Sequence, residues 1–255
     1  MGKADLKPVI QELAELPSRG KFYDGKIPET FSIRPMTVNE LKMLYGSSNT
    51  MKALNSIIKS VVIDVEDFPV DDLLIGDKFY LAYKIRAITF GPEYNTTIKC
   101  PECGKISKVS IDLIDDIEID RYPEDMENPR SIGKLPVSGD EITVKVISTG
   151  ELERMLKRSE EISKKFPDYV GDPMYIESTA FQIDSINGKK RSLTDIEQYL
   201  MDMHAKDDLY IMHHLGKYSC GPKTPVLSQC PECGADVRVG IMISEDFFRP
   251  ELDFE

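Results

Sequence analysis

The pentapeptide Cys100-Pro101-Glu102-Cys103-Gly104 recurs as Cys230-Pro231-Glu232-Cys233-Gly234, and 230 − 100 gives a spacing of 130 residues. Each copy is a thiol pair on a tight turn. The two-residue spacer turns both sulfurs to one side, and the glycine that follows takes the positive φ that ends the turn. The flanks read as strands: 96–99 and 108–111 around the first copy, 225–228 and 237–240 around the second. Two such hairpins clasping one ion make a zinc ribbon. Cys100, Cys103, Cys230 and Cys233 would fill a tetrahedral shell with Zn–S near ~2.3 Å. A closed four-cysteine shell leaves no place for water, so the expected zinc, one ion, is structural and not catalytic. An iron–sulfur centre and a redox C-x-x-C pair are the alternatives. The prolines at 101 and 231 and the paired glycines favour a knuckle.

The separation is large, since 230 − 103 − 1 leaves 126 residues between the pairs. An internal duplication accounts for it. The same shift of 130 lays Asp77 on Asp207, Tyr80 on Tyr210, Gly91-Pro92 on Gly221-Pro222, and Val109 and Ile111 on Val239 and Ile241. Upstream, a shift of 148 − 37 = 111 lays Thr37 and Glu40-Leu41 on Ser148 and Glu151-Leu152. Thr37 and either Ser148 or Thr149 read as helix N-caps. Each copy then reads strand, capped helix, variable middle, second helix, Gly-Pro, strand, knuckle, strand, with the ion between the copies. Loop-closure entropy grows slowly with length, and a structural zinc site contributes about 10–16 kcal/mol near neutral pH.

The expected fold is therefore α+β, two tandem related repeats joined by a shared zinc-ribbon core. Residues 1–28 read as an N-terminal amphipathic helix, Pro8 to Leu16, and a turn-rich docking loop. Residues 29–114 are the first repeat and 140–244 the second. Residues 115–139, rich in acid, Pro and Gly, read as a linker, and 245–255 as an acidic aromatic tail. Helices are expected over 51–62, 70–88, 151–166 and 193–218. Asn187-Gly188 marks a hairpin turn, unless Ser192 already caps the next helix.

With Lys plus Arg at 32 and Asp plus Glu at 44, the net charge is 32 − 44 = −12, which argues against broad binding to nucleic acid or anionic lipid. No apolar run suits a signal peptide or reaches the ~18 residues of a membrane span. A reducing cytosol fits cysteines that bind metal instead of forming disulfides. Phosphate-binding glycine loops, G-x-S-x-G and H-E-x-x-H are absent, and His213-His214 overlays an ordinary helix pair, Tyr83-Lys84. No catalytic residue is assigned. Cys220, whose counterpart is Phe90, reads as a buried free thiol. The aromatics Phe22 and Tyr23 of the loop and Phe247, Phe248 and Phe254 of the tail suit a groove on another protein. Packing of the tail on its own domain is the other reading.

Leu16-Pro-Ser-Arg-Gly-Lys-Phe-Tyr23, a strand ending Ile33-Arg-Pro-Met-Thr37 and then Glu40-Leu41 resemble the N-terminal signature of the baseplate hub assembly proteins of T-even-like contractile-tail bacteriophages. Ile75 to Gly91 followed by the first knuckle is similar to the same family. The resemblance implies a virion-assembly or baseplate protein that binds other phage tail proteins, without an enzymatic role. It would act in the host cytoplasm during assembly or in the virion tail baseplate. It assigns no binding residue, and the second knuckle and the duplication are read from this sequence alone. The competing reading is a zinc-ribbon module binding nucleic acid through Lys99, Lys105 and Lys108, weakened by the absence of aromatics there.

Overall fold

The computed structural model of the chain describes residues 11–45, 47, 49–166 and 171–250. An antiparallel pair comes first, β1 (Glu12–Glu15) with β2 (Thr30–Ile33). Helices α1 (Val38–Tyr45), α2 (Thr50–Val61) and α3 (Ile75–Phe90) follow. Then come strands β3 (Glu93–Lys99), β4 (Ile106–Asp112), β5 (Ile119–Asp120), β6 (Arg130–Lys134) and β7 (Glu141–Val144). Next are α4 (Thr149–Lys165), α5 (Pro173–Ala180), β8 (Ile183–Ile186), α6 (Leu193–Met201) and α7 (Ala205–Gly216). Strands β9 (Gly221–Pro222), β10 (Val226–Gln229) and β11 (Asp236–Val239) precede a short 3-10 turn at Asp246–Phe248. Small sheets and helices alternate, an α+β architecture. Among the described residues no helix is long and apolar enough to cross a membrane.

The elements form two compact units that interleave in sequence. The first takes the chain up to Val70, Gly76–Arg121 and the chain from Gly221 onward; the second takes Asp71–Ile75 and Tyr122–Cys220. Both knuckles therefore belong to the first unit.

In the first unit, β2 lies between β1 and an isolated bridge from Ile33 to Val62. Helix α2 starts where the Asn49 side chain accepts from Lys52 N, and it buries Leu54, Ile57, Ile58 and Val61 at helical spacing. The ring of Phe31 in β2 packs tilted against Phe68, with centroids 5.2 Å apart. Helix α3 is buried nearly all round, with Leu81 and Ile85 inaccessible beside a buried Lys78 and Arg86. Arg86 is satisfied within the unit: it donates to Gly91 O at 2.5 Å and to Phe247 O at 3.2 Å.

In the second unit, β6, β7 and β8 form a three-stranded antiparallel sheet with β7 central. Ile142, Val144, Ile183, Ile186, Ile196, Leu200 and Ile211 make one apolar cluster under it. Helix α4 begins with a full capping box, Ser148 and Glu151 each bonding the other's backbone N–H. Asn187 and Gly188 both take positive φ, as the turn signal requires. No long second strand follows. Beyond the turn there is one isolated bridge, Ile186 to Lys189, and Ser192 caps α6. The expected helix over 193–218 is broken at 202–204, where the His204 side chain accepts from Lys206 N and starts α7 anew.

Two sequence expectations are corrected. The expected helix Pro8 to Leu16 is the strand β1 over its described part. Ala14, facing Phe31 in register, is fully buried while Leu13 is 60% exposed, so pairing with β2 overrides the helical preference of Glu-Leu-Ala-Glu. The acidic stretch 115–139 is not a free linker. Strand β5 pairs with β9 and β6 with β7, and Ile117, Tyr122, Met126, Ile132 and Leu135 are buried. Acids shape the turn into it: Asp112 Oδ1, at the end of β4, accepts from Ile114 N and Asp115 N, and Asp116 Oδ2 from Asp112 N.

Candidate metal centre

Hairpin β3–β4 carries the first knuckle and hairpin β10–β11 the second, each antiparallel and in register up to the turn. The turns are built alike. Cys100 N donates to Lys105 O at 2.9 Å and Gly104 N to Cys100 O at 3.0 Å. Cys230 N donates to Ala235 O at 2.8 Å and Gly234 N to Cys230 O at 2.9 Å. Gly104 has φ +71° and Gly234 φ +74°, the left-handed geometry expected after each second cysteine. The first cysteine of each pair, Cys100 and Cys230, is buried and the second, Cys103 and Cys233, is exposed.

All four sulfurs lie within 4.8 Å of one another, the only grouping of this kind among the described residues. Cys100 Sγ is 3.7 Å from Cys233 Sγ, and Cys103 Sγ is 3.9 Å from Cys230 Sγ. Sulfurs at the corners of a tetrahedron with ~2.3 Å metal–sulfur bonds stand ~3.8 Å apart. The donor set therefore fits a tetrahedral thiolate-binding ion and can hold one. A disulfide, with sulfurs ~2.05 Å apart, does not describe these pairs. The proton balance agrees. The N–H of Cys103 leads in drawing the Cys100 thiol down to about 7. At Cys233 the Ala235 N–H pulls down, but burial and the three neighbouring sulfurs push the thiol up to about 12. The neighbouring sulfurs thus oppose ionisation of Cys233, an opposition that a cation among them would relieve.

A family model described as T4 bacteriophage base plate protein matches residues 9–249. The chain belongs to that family. No curated protein and no solved structure matches this baseplate-family chain.

The other singled-out residues lie apart from the sulfurs. Cys220 is half-buried and outside the cluster. Tyr23 is buried, and its hydroxyl donates to Asp77 Oδ2 at 2.5 Å. Phe22 is half-buried in a positive-φ turn. Phe247 and Phe248 are buried and pack on their own unit, Phe247 standing 5.5 Å from both Tyr83 and Tyr94. Phe254 lies outside the described residues. Of the lysines beside the knuckles, Lys105 reaches across to Glu232 of the other turn at 2.7 Å. His214 packs tilted against Tyr210 within α7, with ring centroids 4.4 Å apart.

The sequence matches Asp77 to Asp207, but the role of that pair was not read from it. Asp77 is fully buried and accepts from Ser18 N at 2.9 Å. Asp207, also fully buried, accepts from Val137 N at 2.7 Å and Ser138 N at 2.9 Å. The signal was available: the receiving loops are Leu16-Pro-Ser-Arg-Gly20 and Leu135-Pro-Val-Ser-Gly139, a second Leu-Pro-x-x-Gly repeat.

Proposed function

We propose that this baseplate-family protein is a non-enzymatic structural or assembly component of the hub region of a contractile-tail phage baseplate. A zinc ion on Cys100, Cys103, Cys230 and Cys233 would clasp its two knuckles, and the protein would bind other tail proteins. It would assemble in the host cytoplasm and enter the tail baseplate. The observation that carries the reading is the family match over 241 residues, 9–249, together with one closed tetrathiolate cluster. Nucleic-acid binding draws no support: Lys105 is spent on Glu232, and the chain carries −12.

Duplication is part of the proposal. Arg34, Thr37 and Glu40 in the first unit correspond to Lys145, Ser148 and Glu151 in the second. In both, the glutamate returns to the N-cap N–H and pairs with a cation six residues before itself in the chain. The Asp77 and Asp207 contacts repeat in the same way. Each lock argues that the units descend from one ancestor, and the shared ribbon explains why the second knuckle sits with the first.

The test is assembly. The tagged protein, expressed during infection by the phage that carries it, should co-purify with tail proteins, and its loss should leave heads without finished tails. Normal tails in its absence, with no tail protein retained, would sink the proposal.

A further inference from the structure

Strands β3 and β4, seven residues each, form a two-stranded sheet. Their register runs from Glu93 opposite Asp112 to Lys99 opposite Ile106 without a shift. The two ends of the hairpin fix where each main-chain group points. Cys100 N donates to Lys105 O, and Pro92 O accepts from Leu113 N. Groups in an antiparallel pair alternate between the partner strand and the outer edge. Tyr94, Thr96 and Ile98 therefore spend their N–H and C=O on β4, while Asn95 and Thr97 turn theirs outward. Asp112 of β4 obeys the same parity, since its outward N–H goes to Asp116 Oδ2. Among the described residues nothing bonds the outward groups of Asn95 and Thr97. A slot of about 270 Å³ lies along this edge. The unbroken run Tyr94 to Thr97 lines it although side chains alternate between faces, so the slot meets the strand edge-on. Its other wall is the segment holding Asp246, Arg249 and Pro250. Arg86 also lines it, 2% exposed, with Nε on Phe247 O and Nη1 on Gly91 O. Its Nη2 has no acceptor among the described residues.

We propose that β3 takes an extended segment of another tail protein into this slot as an added strand. The segment exchanges main-chain hydrogen bonds with Asn95 and Thr97 and sets one acceptor on Arg86 Nη2. The proposal rests on the baseplate reading for the source of the segment. Net charge does not select the occupant. The lining cations Arg86, Lys108 and Arg249 meet Glu93 in the field of Arg86, and Glu245 and Asp246 in that of Arg249. Hydrogen bonding selects it. The edge alternates donors and acceptors; an anion supplies acceptors only and a cation donors only, whereas a polypeptide backbone supplies both. The second wall makes it a single strand. Another copy of this chain would bring β4 along with its β3, and the space between β3 and Asp246 has room for one chain and not for a hairpin. Neither a proline nor a bulge guards β3 between Glu93 and Lys99, the usual devices against such pairing.

The probe is a capped peptide of alternating Thr and Val titrated into the full chain. Its control carries a methyl group on every backbone nitrogen, which keeps the side chains and removes the ladder donors. In the chain alone the amides of Asn95 and Thr97 should exchange fast. The plain peptide should bind saturably, shift those two amides and slow their exchange at least about tenfold. The methylated control should bind at least about tenfold more weakly. Thr97→Pro deletes an outward N–H and no β3–β4 bond, so it should lose the peptide with an unchanged thermal midpoint. Absence of binding, equal affinity for both peptides, or protection away from the β3 edge would overturn the proposal. A dimer abolished by Thr97→Pro would overturn it in favour of a second copy. Affinity that rises about tenfold on removing residues 251–255 would overturn it in favour of the chain's own tail. Thr97→Pro that loses the peptide yet recovers every tail protein would overturn this docking and leave the baseplate reading standing. Loss of one tail protein from that variant alone would support it.

Discussion

Cys100 Sγ lies 3.7 Å from Cys233 Sγ although 133 residues separate them in the chain. Neither knuckle closes a tetrahedral site alone, so binding of an ion there and the pairing of the two hairpins would be one equilibrium. The purified chain should carry one zinc ion, measured by elemental analysis, and cobalt substitution should give the intense visible bands of tetrahedral sulfur coordination. Chelation should lower the thermal midpoint, because metal bound only to the folded state stabilises it by mass action. Zinc-free protein from zinc-supplemented cells, or a midpoint unmoved by chelator, would refute the clasp.

The ligand set can be separated from its neighbours. Cys100→Ser or Cys230→Ser should lose stoichiometric zinc and loosen the pairing of the two hairpins. Cys220→Ser should keep one zinc per chain, since Cys220 stands outside the sulfur cluster. Lys105→Ala removes an exposed ion pair between the turns and should leave both zinc content and thermal midpoint nearly unchanged. A Lys105→Ala variant that loses its metal would show that the ion pair, not the thiolates, holds the hairpins together.

Asp77 and Asp207 occupy matching helix positions but titrate in opposite directions. Burial opposes ionisation of Asp207, yet the N–H groups of Ser138 and Val137 outweigh it and hold the carboxyl below its ordinary range. Its stabilising effect is therefore present above the unfolded value near ~3.9 and is lost as pH falls through the lower folded value. Burial pushes Asp77 up despite Ser18 and Tyr23, so stability linked to it is fullest below ~3.9 and declines as pH rises toward the folded value. Asp207→Asn leaves one N–H facing an amide NH2 and should cost about 1–3 kcal/mol at pH 7 in urea denaturation. That cost should shrink below about pH 4. Asp77→Asn should cost less, because Asn replaces a carboxyl whose charge burial disfavours. Equal costs for the two variants at pH 7 would contradict this account.

What was legible follows from local chemistry. The knuckle turns, the cap at Ser148 and the Asn187-Gly188 turn depend on residues close in sequence, and each formed where the residue types require it. The four-sulfur cluster was legible because a repeated C-x-x-C pair on a tight turn has few uses other than holding a metal ion. Strand β1 was not, because its identity is decided by Phe31 across the sheet and not by Glu-Leu-Ala-Glu itself. Residues 115–139 looked like a linker because acids and prolines outnumber apolar residues. Five of their seven apolar side chains, Tyr122 and Leu135 among them, are nevertheless buried. The pairing of Arg158 with Glu177 and Glu197 joins α4, α5 and α6, and no local pattern announces it.

The tail aromatics give the sharpest separation of stability from partner binding. Phe247 is 1% exposed, its ring lies 5.5 Å from both Tyr83 and Tyr94, and the Arg86 guanidinium stands 5.9 Å from its centroid. Its backbone carbonyl also takes the Arg86 Nε hydrogen bond. Phe247→Ala removes the ring but keeps the carbonyl, so the expected loss is the packing cost of about 3–5 kcal/mol. Deleting residues 245–255 removes both and leaves the buried Arg86 short of an acceptor, so it should destabilise further and lower the solubility of the chain. Urea denaturation of the two variants measures the difference. If Phe247→Ala keeps full stability while tail-protein recovery falls, the ring acts at an interface and not in the core of its own unit.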